Sequence, residues 1–180
     1  MDVIEAERHA LCISALAGHF ERTHCFTALD VCEIHRSWLG DVYSWAGQYR
    51  QVNVSRGDFS FAMAQHIPKL MQELERGPLK KYTPCMFKTN EEIITALAVV
   101  HTELMLIHPF REGNGRAGRL IAVLMAFQAG LPGLDFTGIR GKKREEYFAA
   151  VQSGMDRNYE PMKTVFRPVL SRTRRTHARR

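Results

Sequence analysis

Two apolar segments with helical spacing, separated by one short polar loop, constrain the fold most. The first begins with a capping box, in which Thr89 can cap the helix and Glu92 can bond back to it. It continues to about Ile107, because Pro109 disfavours helical geometry at His108. Its apolar positions recur with a helical period, at Ile93, Leu97, Val100 and Leu104. The pattern predicts one long buried helix.

The second segment runs from Arg116 to about Ala129 with the same period. Gly130 and Pro132 follow it, as is typical of a helix end. Its inward positions are Leu120, Val123, Leu124 and Phe127. We therefore expect two buried helices joined by a loop from Pro109 to Gly115.

Further helices are predicted on both sides of this pair. The first runs from Val3 to about Phe20, with Ile4, Leu11, Ala15 and Ala17 inward. The second runs from an Asp30 cap to about Leu39, with Val31, Ile34 and Trp38 inward. The others run from Ala64 to Leu74, where Gly77-Pro78 follows, from Lys142 to Ser153, and from Glu160 to Leu170. A chain of 180 residues can form one domain with a real core, but not two ordinary ones. We therefore expect a single all-α helical bundle.

Between residues 47 and 62 the helical spacing gives way to alternation. Val52 and Val54, then Phe59 and Phe61, flank the turn-forming sequence Ser-Arg-Gly-Asp. This pattern predicts a small β-hairpin. Because an isolated hairpin is weakly stable, we expect it to lie on the helical body.

The formal net charge of +6 is concentrated at the C-terminus. Residues 171–180 carry five arginines and no acid, so the rest of the chain is close to neutral. We expect residues 1–170 to form the domain and residues 171–180 to be a disordered basic tail. Such an arm also fits a nucleic-acid-binding protein, although the body lacks a clear basic run interleaved with aromatic residues.

The loop between the two apolar helices concentrates reactive groups. From His108 to Arg119 it reads His-Pro-Phe-Arg-Glu-Gly-Asn-Gly-Arg-Ala-Gly-Arg. Its glycines allow successive backbone N–H groups to converge at the start of a helix, where the helix dipole favours an anion. Arg116 and Arg119 share a face of that first turn. Because cations are unfavourable at a helix N-terminus, a bound di- or triphosphate would explain both arginines.

Two more groups complete a phosphate-transfer site. Glu112 lies beside the predicted phosphate site, and proteins usually hold Mg²⁺ with one or two carboxylates together with phosphate oxygens. His108 is the natural proton acceptor at neutral pH. A metal hydrolase built from His101, Glu103 and Glu112 is a weaker alternative, because it leaves Gly-Asn-Gly and the arginines unexplained. His101 is more simply a core histidine.

This run resembles the signature of the Fic (filamentation induced by cyclic AMP) family, His-x-Phe-x-(Asp/Glu)-Gly-Asn-Gly-Arg-x-x-Arg, at every specified position. Ile34-His35-Arg36, the segment 41–47 and Arg50 resemble the approach to the family's flap hairpin. The resemblance covers about residues 5–170. It implies a Fic fold, a helical bundle with one β-hairpin flap over the active site. It also implies transfer of AMP from ATP to a Ser, Thr or Tyr hydroxyl of a target protein, by a toxin of a toxin–antitoxin pair or by an effector.

The resemblance also implies a role for each motif position. His108 would deprotonate the target hydroxyl, Glu112 would hold Mg²⁺ and Phe110 would anchor the loop in the core. The phosphates would be bound by Gly113, Asn114, Gly115, Arg116 and Arg119, with both arginines on the β- and γ-phosphates. The flap would align the target by strand pairing through Val54, Ser55, Arg56, Gly57 and Asp58. Tyr147 and Phe148 fall where the family places aromatics near the adenine, although helix packing explains them equally well.

Two comparisons within the superfamily bear on activity and regulation. Doc kinases replace the first glycine of Gly-Asn-Gly, so Gly113 favours AMP transfer over the kinase-like alternative. Many members carry an inhibitory (Ser/Thr)-x-x-x-Glu-(Gly/Asn) helix whose glutamate pairs with the second motif arginine, here Arg119. No Ser or Thr of this sequence has a glutamate four residues later. Either a separate antitoxin supplies the glutamate, or the chain was cut from a longer one, or the activity is unregulated.

The remaining sequence signals concern the compartment. Cys12, Cys25, Cys32 and Cys85 have no zinc-site spacing, so we expect reduced core thiols in a cytoplasmic protein. No apolar run reaches the roughly 18 residues that a membrane span needs, and the N-terminus lacks a signal-peptide pattern. We expect no membrane partner and no general secretory export, which leaves open secretion as an effector into a host cell.

Overall fold

The computed structural model describes the backbone of residues 12–13 and 15–177 and the side chains as far as residue 175. Residues 15–19 are helical, and the elements after them are α1 (Ala28–Leu39), β1 (Ser55–Arg56), β2 (Phe59–Ser60), α2 (Ile67–Leu74), α3 (Lys80–Tyr82), α4 (Asn90–Ile107), α5 (Asn114–Gln128), α6 (Lys142–Ser153) and α7 (Glu160–His177). The expected all-α bundle with one hairpin is confirmed.

Helix α4 is the central element of the fold. It packs against α2, α5, α6 and α7, so it is buried on most of its circumference. The predicted capping box is present, because Glu92 N–H donates to Thr89 Oγ1 and Thr89 N–H donates to Glu92 Oε2. The predicted core positions of this helix, Ile93, Leu97, Val100 and Leu104, are all buried. The helix therefore holds its C-terminal end, at His108, in a fixed place.

Three helix boundaries differ from those predicted. Helix α1 is capped by Thr27 rather than Asp30, which lies three residues later and accepts a hydrogen bond from Thr27 N–H at 2.7 Å. Helix α5 begins at Asn114, two residues earlier than predicted, because Gly113 is its N-cap. The sequence Gly77-Pro78 does not end the helical region. A five-residue π-helical turn, Glu75–Leu79, carries the chain past Pro78 into α3.

The prediction of a disordered tail is wrong for its described residues, 171–177, because α7 continues through them to His177. Thr173 is buried, and its Oγ1 accepts a hydrogen bond from Asp135 N–H at 2.9 Å. Arg172 donates to the backbone carbonyl of Asp135 at 3.1 Å. Val169, Leu170 and Thr173 thus continue one buried face, a helical spacing that the concentration of arginines obscured.

The predicted N-terminal helix, residues 3–20, lies partly outside the described residues. In the described part the expected inward face is wrong, since Ala15 and Ala17 are exposed whereas Leu16 is buried. Among the described cysteines, three are buried free thiols, as expected for core residues, and Cys25 is exposed. Burial raises the pKa of the Cys85 thiol to about 12, which keeps it protonated and unreactive.

The hairpin is shorter than its alternating pattern suggested. Its two strands pair antiparallel over Ser55↔Ser60 and Arg56↔Phe59, and Gly57 has a positive φ of 56° in the turn. A further hydrogen bond joins Phe61 N–H to the carbonyl oxygen of Val54 at 3.2 Å. The hairpin lies on the helical body, as expected, with Phe61 stacked on the ring of His108 at a centroid distance of 3.8 Å.

Candidate active site

His108 ends α4 in a left-handed conformation, with φ 51° and ψ 59°. The chain therefore turns sharply away from the helix at this residue. Its imidazole Nδ1 lies 3.3 Å from the backbone oxygen of Met105. Because a carbonyl oxygen can only accept, Nδ1 carries the proton and Nε2 is left as the acceptor. The parallel ring of Phe61 covers one face of this imidazole.

The electrostatic surroundings keep this imidazole neutral. The pKa of His108 is lowered to about 4, chiefly by burial; the cations Arg50 and Arg56 act in the same direction, while the hydrogen bond to the Met105 carbonyl and the charge of Glu112 oppose it. At neutral pH the residue is therefore in its base form. A neutral acceptor at the wall of a polar cleft is what a general base requires.

Arg50 fastens the flap to the loop that carries His108. It is only 1% exposed, and its guanidinium donates to the backbone oxygens of His108 at 2.8 Å, Val52 at 2.6 Å and Ala62. The backbone N–H of Arg50 donates to the backbone oxygen of Pro109 at 2.8 Å. One buried cation thus binds both ends of the hairpin and the loop that carries His108. No local sequence pattern indicates this role apart from the position of Arg50 just before the hairpin.

Gly113 begins α5 in a conformation that suits only glycine. Its φ is +79°, and a Cβ atom on it would lie 2.8 Å from Cδ1 of Leu39 and 3.1 Å from Nε2 of His35. The loop can therefore approach α1 closely before the helix starts. The first N–H groups of α5 have no partner within the helix, and they begin at the wall of the cleft.

His35, on α1, supports the loop that carries Glu112, and no sequence pattern predicted this role. Its Nε2–H donates to the backbone oxygen of Glu112 at 2.9 Å, and its Nδ1 accepts from Gly47 N–H at 2.9 Å. Its ring stacks on Phe110 at a centroid distance of 3.8 Å. Burial lowers the pKa of His35, which favours the neutral form that these two bonds require. Phe110 is fully buried, in keeping with its expected role as the anchor of the loop.

The side chain of Asn114 closes the loop on itself. It is 2% exposed, its Oδ1 accepts from Phe110 N–H, and its Nδ2 donates to the oxygen of Phe110, both at 2.8 Å. The expectation was that this residue binds phosphate. Because both side-chain atoms are engaged within the loop, its backbone N–H is the group left for that task.

The loop, the flap, α5, α6 and α7 enclose a cleft of about 490 Å³. Most of the predicted site residues line it, namely Val54, Ser55, Arg56, His108, Glu112, Gly113, Asn114, Gly115, Arg116, Arg119, Tyr147 and Phe148. Gly57 and Asp58 form the exposed turn of the hairpin. The structure thus brings residues from distant parts of the sequence to one cavity.

The cleft is strongly positive. Among its described lining residues, five are arginines and one is a carboxylate, namely Arg56, Arg111, Arg116, Arg119, Arg144 and Glu112. Burial lowers the pKa of the Arg119 guanidinium, and the neighbouring charges of Arg116 and Arg144 lower it further. The guanidinium of Arg116 lies 4.6 Å above the ring of Trp38. A polyanion would relieve the mutual repulsion of these cations.

The two aromatic residues of α6 face different neighbours. The guanidinium carbon of Arg56 lies 3.4 Å from the ring centroid of Phe148, so the flap touches α6 across the cleft. The hydroxyl of Tyr147 lies 2.8 Å from Nε2 of His101. His101 is 3% exposed, in agreement with its interpretation as a core histidine.

A metal ion at this site would need the phosphate oxygens of a bound nucleotide as further ligands. Among the described residues, no group of three or more His, Cys, Asp or Glu side chains could hold an ion. Glu112 fits Mg²⁺, because that ion is commonly bound by one carboxylate together with phosphate oxygens.

Within the described part of the chain, no helix is both long enough and apolar enough to cross a membrane.

Comparisons with known proteins show the family to which the chain belongs. The model of the Fic/DOC family matches residues 25–126, more than half of the chain. A curated relative from Salmonella typhimurium, named "Probable protein adenylyltransferase Fic", is 33% identical over 81% of this chain and 70% of its own length. A Nematostella vectensis relative, named "Protein adenylyltransferase Fic", is 29% identical, and the chain spans only 34% of its length.

Solved structures share the fold. The Fic domain of Bep8 from Bartonella sp. 1-1C aligns with a TM-score of 0.76 at 19% identity, over 93% of this chain and 83% of that one. BepC from Bartonella tribocorum, with bound AMPPNP, aligns with a TM-score of 0.66 at 26% identity, over 92% of this chain and 85% of that one. Both are named as translocated effector proteins.

Proposed function

The chain belongs to the Fic/DOC family, and from this premise we propose that it is a protein adenylyltransferase, which transfers AMP from ATP to a hydroxyl group of a target protein. The names of its relatives and the nucleotide bound to BepC support this function. One observation carries it. The segment from His108 to Arg119 presents a neutral imidazole, a carboxylate, a helix N-terminus and two arginines to a single cleft.

The reaction joins the target oxygen to the α-phosphorus of ATP. The bond from that phosphorus to the oxygen bridging to the β-phosphate breaks, and diphosphate leaves. Nε2 of His108 accepts the proton of the attacking hydroxyl. The Met105 carbonyl fixes Nδ1 as the donor, and the ring of Phe61 holds the imidazole plane, so Nε2 is presented in one orientation.

The first turn of α5 and the two motif arginines bind the phosphates. The N–H groups of Asn114 and Gly115 lie at the positive end of the helix dipole. Arg116 and Arg119 hold the β- and γ-phosphates and offset the charge that develops on the leaving diphosphate. This proposal accounts for five arginines around one cleft with little acidic compensation.

Glu112 holds Mg²⁺ in this proposal. Its Oε1 accepts from Gly113 N–H at 3.1 Å, which ties the carboxylate to the predicted phosphate site. Mg²⁺ held there would supply positive charge that offsets the negative charge of the phosphates. The contribution of the chain is to place one carboxylate beside the first turn of α5.

The flap and α6 complete the substrate site. We assign Phe148 to the adenine side of the cleft. Its ring already packs against one planar group, the guanidinium of Arg56, and an adenine ring is planar too. The hairpin, residues 54–61, aligns the target chain by pairing with its backbone. An antitoxin that inserts a glutamate beside Arg119 would inhibit the enzyme, and the positive charges of the neighbouring Arg116 and Arg144 would attract such a carboxylate.

The proposal is tested by the position of the label. The protein is incubated with cell lysate and with ATP labelled at the α- or the γ-phosphate. Labelling of specific proteins is expected from α-labelled ATP only, and it should be lost in His108→Ala. A matched control is His66→Ala, since His66 is an exposed histidine outside the cleft. Transfer of γ-label alone would instead establish the kinase-like alternative.

A further inference from the structure

The peptide bond between Glu112 and Gly113 is held on both of its sides. Its carbonyl oxygen, which belongs to Glu112, accepts a hydrogen bond from Nε2–H of His35 at 2.9 Å. Its N–H, which belongs to Gly113, donates to Oε1 of Glu112 at 3.1 Å. Because the peptide is trans, its C=O and N–H groups point in opposite directions. A bond that holds the carbonyl toward α1 therefore turns the Gly113 N–H away from α1, to the side of the Glu112 carboxylate and the cleft.

The hydrogen bonds of His35 determine which of its nitrogens carries the proton. The residue belongs to α1 and is fully buried. Its Nδ1 accepts from Gly47 N–H at 2.9 Å, and a backbone N–H can only donate, so Nδ1 carries no proton. Nε2 therefore carries it and is the donor to Glu112. Because the ring also stacks on Phe110 at a centroid distance of 3.8 Å, the imidazole offers its one N–H in a single direction.

Gly113 makes this support necessary. Glycine adopts positive and negative φ about equally well, so the chain alone does not fix the peptide plane that precedes it. In the structure the φ of Gly113 is +79°, and a Cβ atom there would lie 3.1 Å from Nε2 of His35. The missing side chain lets the imidazole approach the loop. The imidazole in turn fixes the peptide plane that the glycine leaves free.

The N–H of Gly113 already has an anionic partner. Its acceptor is a carboxylate oxygen, although the side chain of Glu112 is exposed and has access to water. Gly113 lines the cleft together with Arg116 and Arg119. Backbone N–H groups at the start of a helix bind phosphate oxygens as well as carboxylate oxygens. The N–H that His35 orients is therefore a donor at the proposed phosphate site.

We propose that His35 is a positioning residue for phosphate binding, because it orients the Gly113 N–H toward the phosphates of ATP. The inference rests on the proposed function, which supplies those phosphates. It gives His35 a task beyond packing. A residue that only packs would support the loop as a whole, whereas His35 should affect the single N–H of the peptide that it holds.

The test observes the glycine amides of the full chain by nuclear magnetic resonance, with inorganic tripolyphosphate and no added metal as the probe. In the wild type, the amide resonances of Gly113 and Gly115 should both shift, because both N–H groups lie at the start of α5. His35→Leu and His35→Phe remove the donor, and the second keeps a ring that can stack on Phe110. In both variants the shift at Gly113 should be largely lost, whereas Gly115 should still respond.

The affinity for ATP, measured by calorimetry, provides a second readout. ATP should bind about tenfold more weakly to His35→Leu, as expected for a lost hydrogen bond to a charged group. His35→Gln keeps a donor and an acceptor on one amide, so it should restore most of the affinity. The matched control is Ile34→Ala, which opens a cavity at the neighbouring fully buried position of α1. It should lower stability but leave the ATP affinity and the response of Gly113 unchanged.

Three results would overturn this inference alone. The first is a Gly113 amide that does not respond in a wild-type chain that binds ATP, or that responds equally in a folded variant without the donor. The second is a joint loss of the Gly113 and Gly115 responses, or equal ATP affinities of His35→Gln and His35→Leu, since either would indicate support of the whole loop. The third is failure of both donor-free variants to fold, which would assign the bond to folding. Failure of the wild-type chain to bind ATP would overturn the proposed function and this inference with it.

Discussion

The buried guanidinium of Arg50 donates a hydrogen bond to the backbone oxygen of His108 across 2.8 Å. The same side chain binds the two ends of the flap at Val52 and Ala62. The proposed base and the proposed target-docking hairpin therefore share one anchor. The positive charge of Arg50 also helps to hold the pKa of His108 low, after the larger effect of burial.

Replacement of this anchor should cost stability and turnover together. In Arg50→Lys one ammonium replaces a planar fork, so backbone oxygens of the flap or the loop lose their donor. We expect a loss of about 2–4 kcal/mol in the free energy of unfolding, measured by urea denaturation. The rate of AMP transfer should fall in the fraction that remains folded. Arg76→Lys, at an exposed position, should change stability by less than about 0.5 kcal/mol. Equal stability of the two variants would contradict the role of Arg50 as the anchor of the flap and the loop.

The pH dependence of the reaction should reflect the low pKa of His108. The folded pKa is about 4, below the usual value of about 6.5, so the base stays neutral until the pH falls through about 4. We expect kcat/KM to remain level from pH 8 to about pH 5 and to fall below that. The fold also loses stability between about pH 6.5 and 4, because only the unfolded chain binds this proton there. Circular dichroism at each pH separates the two effects. A midpoint near 6.5 in a fully folded sample would contradict the assignment.

Gly113→Ala should destabilise the loop. The positive φ strains an alanine, and its Cβ would meet Leu39 at 2.8 Å. Thermal unfolding should show a loss of about 1–3 kcal/mol. Gly115→Ala is the matched control for stability, since no atom lies within 4 Å of its Cβ position and its φ is not positive. Unfolding curves that do not distinguish the two variants would show that the left-handed conformation is not required.

Glu112→Gln should separate metal dependence from nucleotide binding. The amide keeps the size and an oxygen that can accept from Gly113 N–H, but it loses the charge that suits Mg²⁺. We expect AMP transfer to fall by at least about a hundredfold at saturating Mg²⁺. ATP affinity in the presence of EDTA should not decrease. Wild-type rates in the variant, with an unchanged Mg²⁺ requirement, would place the metal ligand elsewhere.

The sequence predicted those parts of the site that lie next to each other in the chain. The helix end at His108 and the two arginines in the first turn of α5 follow from local rules on proline and helix dipoles, although α5 begins two residues earlier than predicted. The capping box at Thr89 was also predicted, because both partners lie within one turn. Local chemistry therefore accounts for the loop and for the all-α class.

Contacts between distant segments could not be predicted in the same way. Arg50 reaches the His108 carbonyl 58 residues away, and His35 reaches Glu112 77 residues away, so neither partner is visible in a local pattern. Asn114 is expected among the phosphate ligands, and the sequence did not predict that its side chain binds the backbone of Phe110 within the loop. The continuation of α7 was missed because the arginines concealed the buried spacing that ends at Thr173.

The most direct test of the central claim is the stoichiometry of the reaction with a purified target. For each target hydroxyl that gains an adenylyl group, detected by peptide mass spectrometry, one diphosphate should be released. His108→Ala should abolish both, while the variant stays folded and keeps the ATP affinity of the wild type. A phosphorylated target with release of ADP, or adenylylation that persists in a folded His108→Ala, would contradict the assignment of His108 as the base of an AMP transfer.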